Sequence, residues 1–297
     1  MDFFSLHTHT SALDGSHSVL QMVEQAKRIG FKALGISEHF IVYPNISETE
    51  MFWAAKNPKN PQIKPYHHIY SDSFDEAVAK IQPVYEQIEE LRQIDLFPIF
   101  KGLEVDFFDY VGWNKGFENA LAVLKPDYVI GACHFSIRDD KPLNMHDILK
   151  LPSFDQDCIV ADYWQRQQQA VKSGYFDWMA HPDLYKRHGI GRADKFLPYE
   201  EQTISLMFEH QVGAEINTAS LNKKDYKLPD LMRLLRLIAL FNVPTILNDD
   251  AHHIAQLGQD YETAFALAKE VGVKTFLQPT QRKNRFVLEK VHFENQR

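Results

Sequence analysis

Short apolar runs alternate with amphipathic stretches along almost the whole chain, and this alternation restricts the possible folds more than any other feature. The apolar runs are rich in Val, Ile, Phe and Leu, as expected of strands that are buried on both faces. They are Phe3–Leu6, Ala33–Ser37, Phe97–Gly102, Tyr128–Gly131, Phe176–Ala180, Gly213–Ile216 and Pro244–Leu247. The stretches between them carry apolar residues at helical spacing. They are Val19–Ile29, Phe74–Ile94, Trp113–Leu124, Ala161–Ser173, Glu200–His210, Leu228–Phe241 and Tyr261–Val271.

This order of strands and helices predicts parallel βαβ units. Seven units predict an α/β fold with a closed or nearly closed (β/α) barrel, and an open doubly wound sheet is the alternative. A barrel of this kind takes about 250 residues as one domain, so we expect a single domain over residues 1–297. The polar, Pro-rich segment Ile41–Tyr70 interrupts the alternation, and we interpret it as a loop insertion over one rim.

The charge balance bears on the class of partner. The formal net charge is -8, whereas a protein that grips nucleic acid more often has a basic excess, so we regard nucleic acid as an improbable partner. Bound divalent cations would reverse the charge locally and would attract a small anionic substrate. No apolar run reaches the roughly 18–20 residues that span a bilayer, and no leader peptide is visible. We therefore expect a cytoplasmic protein without membrane contact.

Potential metal ligands follow six of the seven predicted strands, where each strand ends. The ends of parallel barrel strands lie on one face, so these side chains are expected to converge on one site. Two of the motifs place ligands two residues apart, and in an extended segment such residues point to the same side. The candidate ligands are His7, His9, His39, Glu104, His134, His181, Asp250 and His252.

The number and type of these ligands indicate the kind of centre. They exceed the roughly four protein ligands of one tetrahedral ion, so we expect two to three divalent ions. Imidazoles with a few carboxylates suit Zn, Mn or Fe rather than Ca or Mg. Glu104 is the expected bridging carboxylate. We expect Cys133 and Cys158 to be reduced, buried thiols outside the metal centre.

These motifs together resemble the PHP (polymerase and histidinol phosphatase) superfamily over nearly the whole chain. Two segments, Gly102–Phe107 and Glu215–Leu221, are similar to those of its stand-alone histidinol-phosphate phosphatases. The other segments that carry the resemblance are His7-Thr8-His9-Thr10, Ser37-Glu38-His39, Glu104 with its neighbours, the single His134 and His181, and Asp250-Ala251-His252. The resemblance implies a distorted (β/α)7 TIM-like barrel with its metal site at the carboxyl ends of the strands. It also implies three metals and phosphoester hydrolysis.

At two positions the comparison with relatives is less direct. Relatives have a further ligand after the first His pair, and the resemblance transfers this role to Asp14, with His17 as a competitor. In the histidinol-phosphatase branch an Arg commonly follows the Asn-Thr segment, but here Asn222 stands there, followed by Lys223 and Lys224. This departure leaves the exact substrate open.

The resulting hypothesis is hydrolysis of a phosphomonoester by a metal-activated water, with histidinol phosphate as the expected substrate. We assign catalytic roles to Glu104, Asp14 and Asp250, and either Asp14 or a metal-bound water would protonate the leaving oxygen. Basic residues near the rim would bind the phosphate or the rest of the substrate. These candidates are Arg138, Arg192, Lys186, Lys223 and His17.

Three other functions compete with this hypothesis. They are a phosphodiesterase or exonuclease acting on nucleotides, an accessory module of a DNA polymerase, and an amidohydrolase-like enzyme acting on C–N bonds. The chain contains no polymerase region, and Glu104 occupies the bridging place that a carboxylated Lys often takes in amidohydrolases. The oligomeric state stays open.

Overall fold

The computed structural model of the chain describes residues 2–60, 63–282 and 285–292, without the side chains of residues 145 and 146. Helices and mostly parallel strands alternate along it. The helices are α1 (Val19–Arg28), α2 (Glu50–Lys56), α3 (Phe74–Ile94), α4 (Trp113–Leu124), α5 (Met145–Ile148), α6 (Ser153–Ser173), α7 (Leu197–Glu209), α8 (Leu228–Phe241) and α9 (Tyr261–Glu270). The strands are β1 (Leu34–Val42), β2 (Tyr70–Ser71), β3 (Ile99–Asp106), β4 (Tyr128–Ala132), β5 (Phe135–Arg138), β6 (Lys141–Asn144), β7 (Trp178–Met179), β8 (Gly213–Asn217), β9 (Thr245–Asn248), β10 (Thr275–Arg282) and β11 (Arg285–His292).

The first helix shows how the sequence sets these elements. Ser18 caps the N-terminus of α1 in a capping box: its hydroxyl oxygen accepts the backbone N–H of Gln21, and the side-chain oxygen of Gln21 accepts the backbone N–H of Ser18. The helix buries Val19, Met22, Val23 and Ala26, which lie on one face at helical spacing. Lys27 and Arg28 occupy its last turn, where positive charge interacts favourably with the helix dipole.

The chain divides into two compact units, of which the first comprises Met1–Val129, Ile137–Pro142 and Asp250–Gly258. In this unit β1 pairs in parallel with β2 on one side and β3 on the other. The register sets His39 of β1 opposite Glu104 of β3, so two predicted ligands are neighbours on adjacent strands.

The second unit comprises Ile130–Ser136, Leu143–Asp249 and Gln259–Arg297. Here the strand order is β4, β7, β8, β9, β10, β11. The first five strands are parallel, and β11 returns antiparallel to β10 at the edge. The strands β7, β8 and β9 are buried throughout, as expected of short parallel strands in a core.

The predicted helices are confirmed, and α3, α4 and α8 have the predicted bounds. Six predicted strands are also confirmed, but the prediction of a strand over Phe3–Leu6 is wrong. This segment lies beside the start of β1, where the carbonyl oxygens of Phe3 and Ser5 accept hydrogen bonds from Lys32 and Gly35, and it forms an isolated bridge at Ser5 instead of a continuous ladder.

Several elements were not expected from the sequence. The segment predicted as the loop Ile41–Tyr70 contains the end of β1, helix α2 and the start of β2, and its residues 61 and 62 lie outside the described residues. The hairpin of β10 and β11 was also not predicted; β10 contains Pro279, and a Pro within a run counts against a strand when the sequence is read alone. The prediction of two buried thiols is half right, since Cys133 is buried and Cys158 is exposed.

In the described part of the chain, every helix is too short or too polar to cross a membrane. The single-domain prediction stays a prediction.

Candidate metal centre

A backbone bridge brings the two ends of the first unit together. Thr8 and Ala251 form a parallel bridge, in which the backbone N–H of His9 donates to the carbonyl oxygen of Ala251 at 2.9 Å. Alternate residues of an extended segment point to the same side, so the ligand pairs on either side of the bridge share a face. These pairs are His7 with His9, and Asp250 with His252.

The carboxylate of Glu104 lies among the rings of His7, His9 and His39. Its Oε2 is 2.6 Å from His39 Nδ1 and 3.6 Å from His9 Nε2, whereas its Oε1 is 3.2 Å from His7 Nε2. The side chain of Glu104 is completely buried. Because its two oxygens face different imidazoles, the arrangement supports the proposed bridging role.

Asp14 reaches the same cluster from a tight turn. The carbonyl oxygen of Thr10 accepts the backbone N–H groups of Leu13 and Gly15, at 3.3 and 2.8 Å. A Cβ atom on Gly15 would lie 2.6 Å from the carbonyl oxygen of His9, so the turn requires glycine for its close approach.

The turn places Asp14 Oδ2 at 3.4 Å from His39 Nε2 and at 3.3 Å from His252 Nε2. The ring of His17 instead packs edge-on against that of His253, with their centroids 4.4 Å apart. The structure thus brings Asp14 into the cluster and sets the His17 ring against His253.

The electrostatics of the cluster follow from its burial and its charges. The ring of His9 stacks on that of His39 and on that of His252, at centroid distances of 4.3 and 4.1 Å. Burial, together with the neighbouring His252 and His39, lowers the pKa of His9 to about 3. Burial opposes charge on Asp14 too, yet His39 and His252 hold the pKa of this carboxyl well below its usual value. The carboxylates in turn raise the pKa of His39 and His252 against the effect of burial.

The residues present fit divalent ions. Ligand atoms of His9, Asp14, His39 and His252 all lie within 4.8 Å of one another, and those of His7, His9 and Glu104 form a second such group. Within the described part of the chain, neither ring nitrogen of His9 makes a hydrogen bond of normal geometry, and the same holds for Asp14 Oδ1. Buried polar atoms without hydrogen bonds are costly, and a metal ion would satisfy them.

Two further predicted ligands lie together in the second unit. His134 lies two residues after the end of β4 and His181 two residues after the end of β7, and their ring centroids are 4.9 Å apart. The backbone N–H of His181 donates to Glu215 Oε2 at 2.9 Å, and Glu215 is fully buried. Glu215 was not predicted as a site residue, although an acidic residue inside a buried apolar strand is a signal in the sequence.

Glu38 is a second buried carboxylate that the sequence did not single out. Its Oε1 accepts the backbone N–H of Thr10 at 3.0 Å and also the Thr10 hydroxyl. Burial raises the pKa of Glu38 to about 8, although the hydrogen bond from Thr10 opposes the shift. Because Thr10 is the first residue of the turn that carries Asp14, Glu38 helps to hold that turn.

The predicted substrate-binding residues have different surroundings. Arg138 and Lys223 are exposed. Lys186 is buried, with its Nζ 3.4 Å from Glu200 Oε1. Arg192 forms a two-pronged ion pair with Asp230, through Nε at 2.7 Å and Nη2 at 2.6 Å. Their contact with substrate stays a prediction.

The chain matches the PHP domain family over residues 4–219, and it therefore belongs to this family. "Probable histidinol-phosphatase" of Deinococcus radiodurans is 28% identical over 209 residues, which cover 69% of this chain and 75% of that protein. "Probable phosphatase" of Caldicellulosiruptor saccharolyticus is 22% identical over 282 residues, which cover 92% and 93% of the two chains.

Solved structures show the same fold. The crystal structure of histidinol phosphate phosphatase from Lactococcus lactis, complexed with zinc, L-histidinol and phosphate, has a TM-score of 0.64 at 15% identity. The match covers 96% of this chain and 98% of that chain. The predicted fold class is thereby confirmed. The chain is a metal-dependent phosphatase of the PHP family.

Proposed function

We propose that this enzyme hydrolyses histidinol phosphate to histidinol and phosphate. The observation that carries the proposal is the set of nine predicted ligands, of which seven cluster in the first unit and two pair in the second. The similar Lactococcus lactis enzyme binds zinc, L-histidinol and phosphate, and the Deinococcus radiodurans relative carries the name of the same activity. We further propose that the nine ligands hold two to three ions of Zn, Mn or Fe.

Divalent ions, when bound, would supply a hydroxide at neutral pH and would neutralise phosphoryl charge. The residues of the chain would determine where these ions are held. Glu104 presents its two oxygens to different imidazoles and would set the spacing of the ions. His9 stays neutral because its pKa is about 3, mainly through burial, so its nitrogens are available as ligands throughout the neutral range.

Asp14 is better suited to ligation than to proton transfer. Its pKa lies well below the usual value, despite burial, because His39 and His252 are beside it. A carboxyl that stays ionised is a poor proton donor to a leaving alkoxide. We therefore favour a water molecule as the source of that proton, and we assign Asp14 to the metal centre.

All four candidate cations stay proposals for contact with the substrate. Lys186 and Arg192 have buried carboxylate partners, Glu200 and Asp230. Arg138 and Lys223 lie on the surface.

Phosphate release from a panel of substrates tests the assignment. The protein reconstituted with Mn²⁺ or Zn²⁺ is given histidinol phosphate, p-nitrophenyl phosphate and a dinucleotide. We expect kcat/KM for histidinol phosphate to be at least about tenfold higher, a difference of roughly 1.4 kcal/mol in transition-state binding. A higher value for the dinucleotide or for another monoester would contradict the histidinol assignment and leave the phosphoesterase class intact.

One observation favours another small phosphomonoester as the second candidate. At the position where the histidinol-phosphatase branch commonly has Arg, Asn222 donates from Nδ2 to Asp260 at 2.9 Å and accepts from Gln259 at 3.0 Å. These contacts hold the amide of Asn222, and a neutral amide binds an anion less strongly than a guanidinium does. The same substrate panel separates the two candidates.

A further inference from the structure

Glu215 is a carboxylate buried in the middle of β8, with none of its surface exposed to solvent. Burying a carboxylate is costly unless hydrogen bonds replace the lost water. An alanine or an aliphatic residue would fill a strand interior at lower cost. The presence of an acid here therefore indicates a requirement for its oxygens.

N–H donors from three neighbouring segments meet at these oxygens. Oε2 accepts the backbone N–H of His181 at 2.9 Å and Nδ2 of Asn217 at 3.0 Å. Oε1 accepts Nδ2 of Asn248 at 2.9 Å. The amide of Asn217 is itself oriented, because its Oδ1 accepts the backbone N–H of Ala219 at 3.1 Å.

The first of these donors belongs to a residue with an uncommon backbone conformation. His181 has a φ of 26°, on the left-handed side, where residues other than glycine are uncommon. Contacts on the following residue hold the same turn, since the carbonyl oxygen of Pro182 accepts Gln167 Nε2 at 2.8 Å and the Tyr163 hydroxyl at 3.1 Å. In this conformation the ring of His181 lies beside that of His134.

We propose that Glu215 is a positioning residue, whose carboxylate fixes the backbone of His181 so that the His181 ring, beside His134, can bind a divalent ion. Glu215 acts through a backbone N–H and is not itself a ligand. The inference rests on the proposed metal-binding role of His181. It extends that role to a buried acid outside the predicted ligand set.

The donor pattern explains why a carboxylate is needed instead of an amide. A carboxylate only accepts hydrogen bonds, whereas the side chain of Gln has one accepting oxygen and one donating NH₂ group. In either orientation, the NH₂ of a Gln at 215 would face donors, either Asn248 on one side or His181 and Asn217 on the other. The isosteric Glu215→Gln change therefore disrupts the contact to His181 without changing side-chain size.

The experiment measures metal binding and does not use enzymatic turnover. Metal-free wild type and Glu215→Gln are titrated with Zn²⁺ in competition with a chromogenic chelator, and thermal unfolding is recorded with and without Zn²⁺. Loss of a contact that orients a ligand typically costs about 10–100-fold in metal affinity. We expect at least a tenfold loss in the variant, with a smaller rise in Tm on adding Zn²⁺.

Asp127→Asn is the matched control. The carboxylate of Asp127 also accepts a backbone N–H of a strand, from Lys101 at 2.8 Å, and it pairs with Arg92, but it contacts no predicted ligand. We expect this variant to lower the Tm of the metal-free protein and to keep wild-type zinc affinity. Equal zinc affinity in Glu215→Gln and wild type would overturn the inference. Equal losses of zinc affinity in Glu215→Gln and Asp127→Asn would also overturn it, because they would indicate that lower stability alone weakens zinc binding.

A second variant restores the donor pattern and keeps the inference testable if Glu215→Gln fails to fold. In the double variant E215Q/N248D, the NH₂ of residue 215 can donate to the new carboxylate, and its oxygen can accept from His181 and Asn217. We expect the zinc affinity of the double variant to stay within about threefold of wild type. This change is smaller than the loss of at least tenfold that we expect for Glu215→Gln. A folded double variant with weak zinc binding would contradict the inference. If wild type itself binds no metal ion, the proposed function fails as well.

Discussion

At the scale of single residues, protons and metal ions compete for the predicted ligands of the first unit. The carboxylates of Asp14 and Glu104 raise the pKa of His39 despite its burial, so without metal this imidazole tends to carry a proton. The same carboxylates attract a divalent ion, which requires a neutral imidazole as its ligand. His9 differs from His39 because burial lowers its pKa to about 3. The cluster therefore contains one ring that is ready to bind metal and one that must first lose a proton.

Replacement of Glu104 by Gln tests the bridging role. The change keeps the size of the side chain and removes the charge that is needed between two cations. We expect kcat/KM to fall at least about 100-fold, or roughly 2.7 kcal/mol, with little change in Tm, because rim residues carry function and the core carries stability. Glu89→Gln on α3 is the control, since Glu89 is half exposed and pairs with Lys101 and Arg92 outside the cluster. Near-normal turnover in Glu104→Gln would show that it is not the bridge.

Asp14 and His17 compete for the same place in the metal centre, and a pair of variants separates them. Asp14 Oδ2 lies 3.4 Å from His39 Nε2, whereas the ring of His17 packs on His253. We expect Asp14→Asn to lose about one equivalent of bound metal by elemental analysis, on the grounds that each ion needs about four ligands. His17→Asn should keep the wild-type metal content. The reverse result would assign the ligand to His17.

At the scale of elements, the turn from Thr10 to Gly15 connects the His7–His9 segment to α1. Glu38 holds its first residue through two hydrogen bonds to Thr10, and the missing side chain of Gly15 allows the turn to close on the backbone of His9. Asp14 gains its position from both contacts. The turn is thus a structural support for one ligand, built from residues that bind no metal.

Gly15→Ala tests the close approach of this turn. The added Cβ would lie 2.6–2.7 Å from backbone atoms of His9 and Thr10, which cannot move aside as a flexible side chain would. We expect a loss of about 1–3 kcal/mol in the free energy of unfolding, together with weaker metal binding. Gly30→Ala is the control, since its φ of 85° strains an alanine but no atom lies within 4 Å of the new Cβ. This control should lose stability and keep its metal, and equal metal affinity in both variants would contradict the role of the turn.

The helices and parallel strands could be predicted because hydrophobic periodicity is a local property of the sequence. The position of some candidate ligands could be predicted because they lie near the carboxyl end of a strand, as His39 and Glu104 do. The partners of buried charges could not be predicted, since a pair forms between segments far apart in the sequence. The ion pairs of Lys186 with Glu200 and of Arg192 with Asp230 are examples, and the substrate contact of both cations stays a prediction.

At the scale of the whole molecule, metal removal should depend on pH in a definite direction. The raised pKa of His39 and His252 means that their ion pairs stabilise the metal-free protein at low pH and are lost as pH rises through the folded pKa. Metal binding shows the opposite trend, because it needs these rings neutral. We expect the rise in Tm on adding Zn²⁺ to grow as pH increases from the ordinary His value of about 6.5 upward through the raised pKa of these two rings.

Calorimetric titration in buffers of different ionisation enthalpy provides the second measurement of this effect. Zinc binding near pH 7 should release at least one proton per chain, an estimate from the charged imidazoles that binding must neutralise. A pH-independent rise in Tm, or zinc binding without proton release, would contradict the competition between protons and metal.

The bridge between Thr8 and Ala251 also bears on how the protein is made. The first unit is discontinuous, since the residues that close it, Asp250–Gly258, follow most of the second unit along the chain. During synthesis, His7 and His9 leave the ribosome well before Asp250 and His252, because most of the second unit lies between them along the chain. Contacts over such separations form slowly, because the entropy of closing the loop is lost before the contacts form. A nascent chain that ends before Asp250 would hold an incomplete set of the proposed ligands, so we expect this set to be completed only after most of the second unit has been made.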